Sequence, residues 1–219
     1  MLKIQFPSLL QVLSATIYNI VKKLRTMNCM DTFYRFLQHL HPMPGEHWQL
    51  LSDGLCVQEV KEGTVLLAQG KIARELFFIC EGVVRLVKHT SEGEDITMFF
   101  LKENRCATVL DSFSKNMPSD YTLEAACDAR VIALHREYLL RLYEDIPYLE
   151  ALINTITQQG LLEKIQTRNE YMGLDASQRY RHFLQKEPDI VSRVPLSAIA
   201  SFLGITRQSL SRIRKNGRS

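Results

Sequence analysis

The chain has 219 residues, 46% of them hydrophobic and 23% charged, with 10 Gly and 7 Pro. That composition excludes collagen-like, mucin-like and wholly disordered classes, and the length suggests one to two domains. The net charge of +3 is a sum of unlike parts. Residues 190–219 carry six basic side chains (Arg193, Arg207, Arg212, Arg214, Lys215, Arg218) and no acid. Residues 1–30 carry four (Lys3, Lys22, Lys23, Arg25) and no acid, which leaves the middle with 17 basic and 24 acidic residues, a net −7. An acidic body with a basic C-terminal end points to a polyanion partner for that end. On charge alone, a solvated basic tail fits equally well.

In chain order, Ile4 to Val21 is uncharged but too polar (Gln5, Ser8, Gln11, Ser14, Asn19) for a membrane span. It also lacks the layout of a signal peptide. Leu9, Leu10, Leu13, Ile17, Ile20, Val21 and Leu24 recur at helical spacing, so residues 1–30 read as an N-terminal extension whose amphipathic helix packs on the body or on a partner. Met27 and Met30 are alternative starts, which leaves open whether residues 1–29 are translated. Phe33, Phe36, Leu37 and Leu40 predict a short helix from Met30 to His41, ended by the Pro42–Gly45 cluster; Trp48, Leu50 and Leu51 predict another helical turn.

From Cys56 to about His135 short apolar or alternating runs are broken by Glu-Gly and Gln-Gly turns. The runs are Val57–Val60, Thr64–Leu67, Leu76–Cys80, Val83–Lys88, Ile96–Leu101, Thr122–Ala126 and Arg130–Leu134. Short strands without helices between them predict an antiparallel sandwich or barrel. The five cysteines (Cys29, Cys56, Cys80, Cys106, Cys127) lie 21 to 27 residues apart, with no zinc or iron–sulfur spacing, so reduced thiols and no metal are expected.

After Arg136 the period is helical again. Tyr138, Leu139, Leu142 and Tyr143 predict a helix stopped before Pro147. A long helix follows, with Leu149, Leu152, Ile153 and Ile156 on one stripe and Leu162 and Ile165 continuing it after a slip near Gly160. A helix of this length offers a seam for a second copy, with packing onto the chain's own barrel as the alternative, so these six residues are the expected dimer contacts.

The strongest pattern is LSAIASFLGITRQSLSRIRK, residues 196–215. A helix-turn-helix needs a tight turn between two steeply crossing helices, a small residue at the crossing and aliphatic inward positions. Gly204 supplies the turn and Ala200 the crossing, while Ile199, Leu203, Ile205, Leu210 and Ile213 fill the inward positions. Thr206 can cap the second helix, whose first turn then presents Arg207, Gln208 and Ser209, with Arg212 near the same face. Arg matches guanine and Gln matches adenine in the major groove. Arg207, Gln208 and Arg212 are therefore candidate base readers, and Thr206, Ser209, Ser211, Arg214, Lys215 and Arg218 candidate phosphate contacts.

Together with the run EGTVLLAQGKIARELFFICEGVVRLVK, the hairpin SEGEDITMFFL and the long helix after Pro147, this motif resembles the Crp/Fnr family of transcription regulators. RQSLSRIRK looks like the Bacteroidetes-type version. The resemblance implies an α+β chain: an antiparallel β-roll of cyclic-nucleotide-binding type over residues 31–145, a dimerisation helix over 146–172 and a helix-turn-helix domain over 173–219. Only Asn216–Ser219 follow the second helix, so a full wing is not expected. In the family a Gly-Glu pair and an Arg-Ser/Thr pair hold the cyclic nucleotide. Here Ala107-Thr108 and Ser119-Asp120 align with them, and Asp120 would repel a phosphate, so the pocket reads as degenerate and not cAMP-responsive.

The expectation is a cytoplasmic homodimer that binds a DNA operator of two half-sites, with no cofactor, no membrane partner and no enzymatic activity. RNA polymerase is a further candidate partner, and the sensor takes either an unidentified small effector or none. The alternative is a ligand-binding or interaction module whose helix-turn-helix no longer reads DNA.

Overall fold

The computed structural model describes residues 9–216. The first helix, α1 (Leu9–Leu40), is continuous across the boundary expected at residue 30, where the sequence suggested an extension followed by a separate short helix. Nothing between Met27 and Asp31 breaks a helix: no proline or glycine interrupts the run. Its last three turns bury Cys29, Phe33 and Leu37. Ile20 and Leu24 of the predicted N-terminal stripe are exposed, and the side chains of Leu9, Leu10, Leu13, Ile17 and Val21 lie outside those described. Among the described residues, no helix is long and apolar enough to cross a membrane. A short helix α2 (Gly45–Ser52) follows the Pro42–Gly45 break.

Eight antiparallel strands come next: β1 (Leu55–Val60), β2 (Val65–Leu67), β3 (Glu75–Glu81), β4 (Val84–His89), β5 (Asp95–Leu101), β6 (Cys106–Ala107), β7 (Thr122–Ala125) and β8 (Ala129–His135). They form two four-stranded sheets, ordered β1-β8-β3-β6 and β2-β7-β4-β5. Seven match the expected runs to within two residues at each end. The two-residue β6 has too little sequence to show a period; the short α3 (Leu110–Lys115) after it lies between the two pocket pairs, where the family resemblance implies a short helix.

β3 and β8 carry the main core because both their faces are covered. Phe77, Ile79, Val131 and Ala133 point to the opposite sheet and meet Val84, Leu86 and Leu123. The alternate residues Leu76, Phe78, Ile132 and Leu134 point to the helices and meet Phe33 and Leu37 of α1. This two-sided burial explains why both strands read as continuous apolar runs.

α4 (Arg136–Asp145) leads through Pro147 into α5 (Leu149–Tyr171). The two ends of α5 differ. Leu149, Leu152, Ile153 and Ile156, expected on a dimer seam, are buried in the chain's own core with α1 and α4. Leu161, Leu162 and Ile165 are 48–58% exposed. The slip at Gly160 thus separates a stripe that the chain covers itself from one that it leaves open. Four more helices follow among the described residues: α6 (Ala176–Lys186), α7 (Pro188–Arg193), α8 (Leu196–Phe202) and α9 (Arg207–Asn216). Among the described residues no strand follows β8.

Candidate nucleic-acid interface

The turn between α8 and α9 is built by hydrogen bonds that need a left-handed residue. The Gly204 N–H donates to the Ser201 carbonyl at 3.1 Å, and the Ile205 N–H donates to the Ala200 carbonyl at 3.0 Å. These are the paired bonds of a Schellman helix end. Gly204 has φ +64°, the region where a Cβ is costly. Space is not the constraint, since a Cβ there would find the Arg179 guanidinium at an ordinary 3.6 Å. Ala200 and Ile199 of α8 are buried beside Leu203 and Leu210, with Ile205 and Ile213 packed against them. All the positions predicted to face inward do so.

Thr206 starts α9. Its Oγ1 accepts the Ser209 N–H at 3.1 Å and donates to the Ser209 Oγ at 3.0 Å. These two hydroxyls are therefore occupied with each other at the helix start, and Ser209 is half-buried. Arg207, Gln208, Ser211, Arg212 and Lys215 are exposed, and Arg214 is half-buried. Spacings of three and four place Gln208, Ser211, Arg212 and Lys215 on one helix face, with Arg207 beside it at the N-terminal end. Among the described residues no carboxylate pairs with Arg207, Arg212, Arg214 or Lys215. Arg218 lies outside the described residues.

Arg193, counted in the basic C-terminal end, is spent internally. Its guanidinium grips both Glu103 oxygens across 90 residues of sequence. Burial would raise the Glu103 carboxyl, but Arg193 and the backbone N–H of Gly82 outweigh it and hold it below its usual range.

That ion pair is part of a wider seam between the helical unit and β5, an edge strand. The Ser201 Oγ of α8 accepts the Thr97 N–H at 2.8 Å and donates to the Asp95 carbonyl at 2.7 Å. One hydroxyl thereby satisfies both kinds of backbone group on the open edge. Lys102 pairs with Glu187 at 2.7 Å. Phe100 meets Phe202 at 5.4 Å and Phe183 at 6.0 Å between ring centroids. The apolar core of the helices continues into Val83, Ala126 and Cys127 of the β-roll. Sequence reasoning did not find this seam, because its partners lie about 85 to 106 residues apart and none stands in a local pattern.

The predicted pocket residues flank α3 as expected but do not converge. Ala107 is buried in β6 opposite Phe77. The Thr108 Oγ1 donates to the Glu75 carbonyl at 3.0 Å. The Ser119 Oγ is closed on Tyr121, accepting its N–H at 3.0 Å and donating to its carbonyl at 2.6 Å. Asp120 is exposed. The neighbouring cavity, about 110 Å³, is lined by Thr108, Arg74, Glu75 and mainly apolar residues such as Leu66, Phe77 and Leu123. It does not include Ala107, Ser119 or Asp120. The five cysteines are free thiols, and among the described residues no group of His, Cys, Asp and Glu could hold a metal.

Comparison with known proteins agrees with this architecture. Residues 57–145 match the cyclic nucleotide-binding domain. No curated protein sequence matches the chain. Among solved structures, a transcriptional regulator of the Crp/Fnr family from Eubacterium rectale is 20% identical, with TM-score 0.66 over 80% of this chain and 84% of that one. The c-di-GMP-responsive global regulator CLP of Xanthomonas campestris is 17% identical, with TM-score 0.64 over 80% and 92%. FixK2 of Bradyrhizobium japonicum is 16% identical, with TM-score 0.62 over 74% and 83%. Residues 57–145 are thus a cyclic nucleotide-binding-type domain, carried in a chain with the fold of the Crp/Fnr transcriptional regulators.

Proposed function

We propose that the chain is a homodimeric, cytoplasmic transcription regulator of the Crp/Fnr type that binds DNA through α9. The observation that carries this reading is the exposed, unpaired basic face of α9 behind the Gly204 turn. Arg207, Gln208 and Arg212 read base edges in the major groove. Ser211, Arg214 and Lys215 contact phosphates, with Arg218 beyond the described residues; Thr206 and Ser209 serve first to cap the helix. A gel shift of the chain on duplex DNA at several salt concentrations tests this: affinity falls linearly in log–log form as salt rises, and absence of any shift at low salt contradicts it.

The dimer forms through the open half of α5. Leu161, Leu162 and Ile165 support this placement, being exposed apolar residues on a helix. The Ile165→Asp chain then sediments as a monomer where the unmodified chain sediments as a dimer; two equal sedimentation coefficients contradict the seam. The β-roll does not respond to cyclic AMP. That reading is supported by a pocket region in which Ser119 is already bonded, Ala107 offers no polar atom and Asp120 carries the wrong charge for a phosphate.

A further inference from the structure

A second cavity, about 280 Å³, lies where β5 of the β-roll meets α5, α6 and α7. Its apolar wall includes Phe99, Phe100, Tyr171 and Phe202. Its charged lining is nearly balanced, and the balance is informative. Lys102 pairs with Glu187 at 2.7 Å, Arg105 with Glu163 at 3.0 Å, and Lys186 with Glu170 at 2.6 Å. Each carboxylate of the cleft therefore has its own cation. Lys164 remains, half-buried and with no carboxylate or hydrogen-bond acceptor among the described residues. Its ammonium lies 5.7 Å from the centroid of the Phe99 ring, a contact weaker than an ion pair in a desolvated site. Burial pushes the Lys164 ammonium below the usual lysine range.

We propose that this cleft binds a small organic monoanion, a carboxylate on an apolar or aromatic body, with the carboxylate on Lys164 and the body against the phenylalanine wall. A cavity with several aromatic walls, in which the other charges are paired off and one is left uncompensated, offers a small-molecule site a single orienting charge. The three paired carboxylates set the charge of the ligand. A second negative charge would face Glu163, Glu170 and Glu187 with no free cation left to meet it, so phosphate monoesters and nucleotides are disfavoured. The cleft is walled by the β-roll on one side and the helical unit on the other, so an occupant touches both. Binding stands on the cleft alone; any effect on DNA rests on the regulator reading above, and requires that the ligand bind two arrangements unequally.

The test is calorimetry of the full chain without DNA, using phenylacetate and octanoate as probes, their amides as neutral controls and phenyl phosphate as the dianion. At least one carboxylate binds about tenfold or more tightly than its amide, and phenyl phosphate binds no tighter than phenylacetate. Lys164→Met, which keeps the stem and removes the charge, abolishes the preference over the amide; Lys164→Arg keeps it. The proposal is overturned if neither carboxylate saturates, if carboxylate and amide bind alike, or if Lys164→Met keeps the preference. The amide comparison is made on the unmodified chain, so it holds even if a variant fails to fold. With no DNA present, the outcome is also independent of whether α9 reads DNA.

Discussion

The face of α9 and the pocket region beside α3 are both built from polar residues on short elements, yet they treat those residues in opposite ways. On α9 the long side chains stand exposed and unpaired, while the apolar positions Leu210 and Ile213 and the cap at Thr206 do the structural work. Beside α3 two hydroxyls are consumed by the fold itself, Ser119 by Tyr121 and Thr108 by the Glu75 carbonyl. A polar residue already bonded within its own chain must give up that bond to take a ligand, so the unspent side chains mark where binding chemistry is available.

The α9 side of this contrast can be broken most severely at the core that holds the C-terminal helices on the β-roll. Phe183 is fully buried among the helices and next to Phe100 of β5. Phe183→Ala costs about 3–5 kcal/mol. Hydrogen exchange should then show α8 and α9 losing protection while β3 and β8, which have their own core, keep theirs. Equal loss in both regions would mean that the two cores unfold as one.

On the reading face, Arg207→Ala costs about 1–3 kcal/mol in DNA affinity and relaxes preference at one base position. Arg214→Ala weakens binding to all sequences alike and lowers the salt slope by about one. Competition binding on a set of single-base operator variants separates the two. If both variants lost affinity equally on every sequence, the division into readers and phosphate contacts would be wrong.

A smaller effect is expected at the seam. Glu103 has its carboxyl held below the ordinary value of 4.5. Its contribution is therefore complete above the ordinary carboxylate range and is lost as pH falls through the lowered value. The pair is about one-third exposed on each side, so Glu103→Gln costs only about 1–2 kcal/mol. Acidification below about pH 4.5 should loosen α8 in the unmodified chain more than in Glu103→Gln, read by exchange at the Thr97 amide. An identical pH response in both chains would remove Glu103 from the seam. The smallest expected effect is at the pocket: cyclic AMP gives no saturable heat on the full chain, and uptake at micromolar concentration would show that the β-roll still holds a nucleotide.

Much of this was legible in the sequence where the signal is local. Gly204, Ala200 and five aliphatic positions specify the turn and crossing of α8 and α9, because a left-handed residue and a close approach each admit few residue types. Seven strands were legible from their period and their glycine turns. The continuity of α1 was hidden by a change in hydrophobic pattern that no helix breaker accompanies. The first half of α5 was assigned to a partner because an apolar stripe looks the same whichever surface covers it; Leu149 and Ile156 are in fact covered by the chain's own helices. The seam and the cleft around Lys164 were invisible for a different reason. They join β5 to residues many tens of positions away, and an isolated Ser, Lys or Glu carries no periodic mark.

The most direct measurement is selection of bound duplexes from a random pool by the full chain. The regulator reading predicts enrichment of a two-fold symmetric sequence whose half-sites are centred about 34–36 Å apart, one turn of DNA. It also predicts that Arg207→Ala relaxes the enrichment at one base position of each half-site and leaves the rest of the pattern in place. A pool that emerges with no enriched sequence would contradict DNA reading by α9.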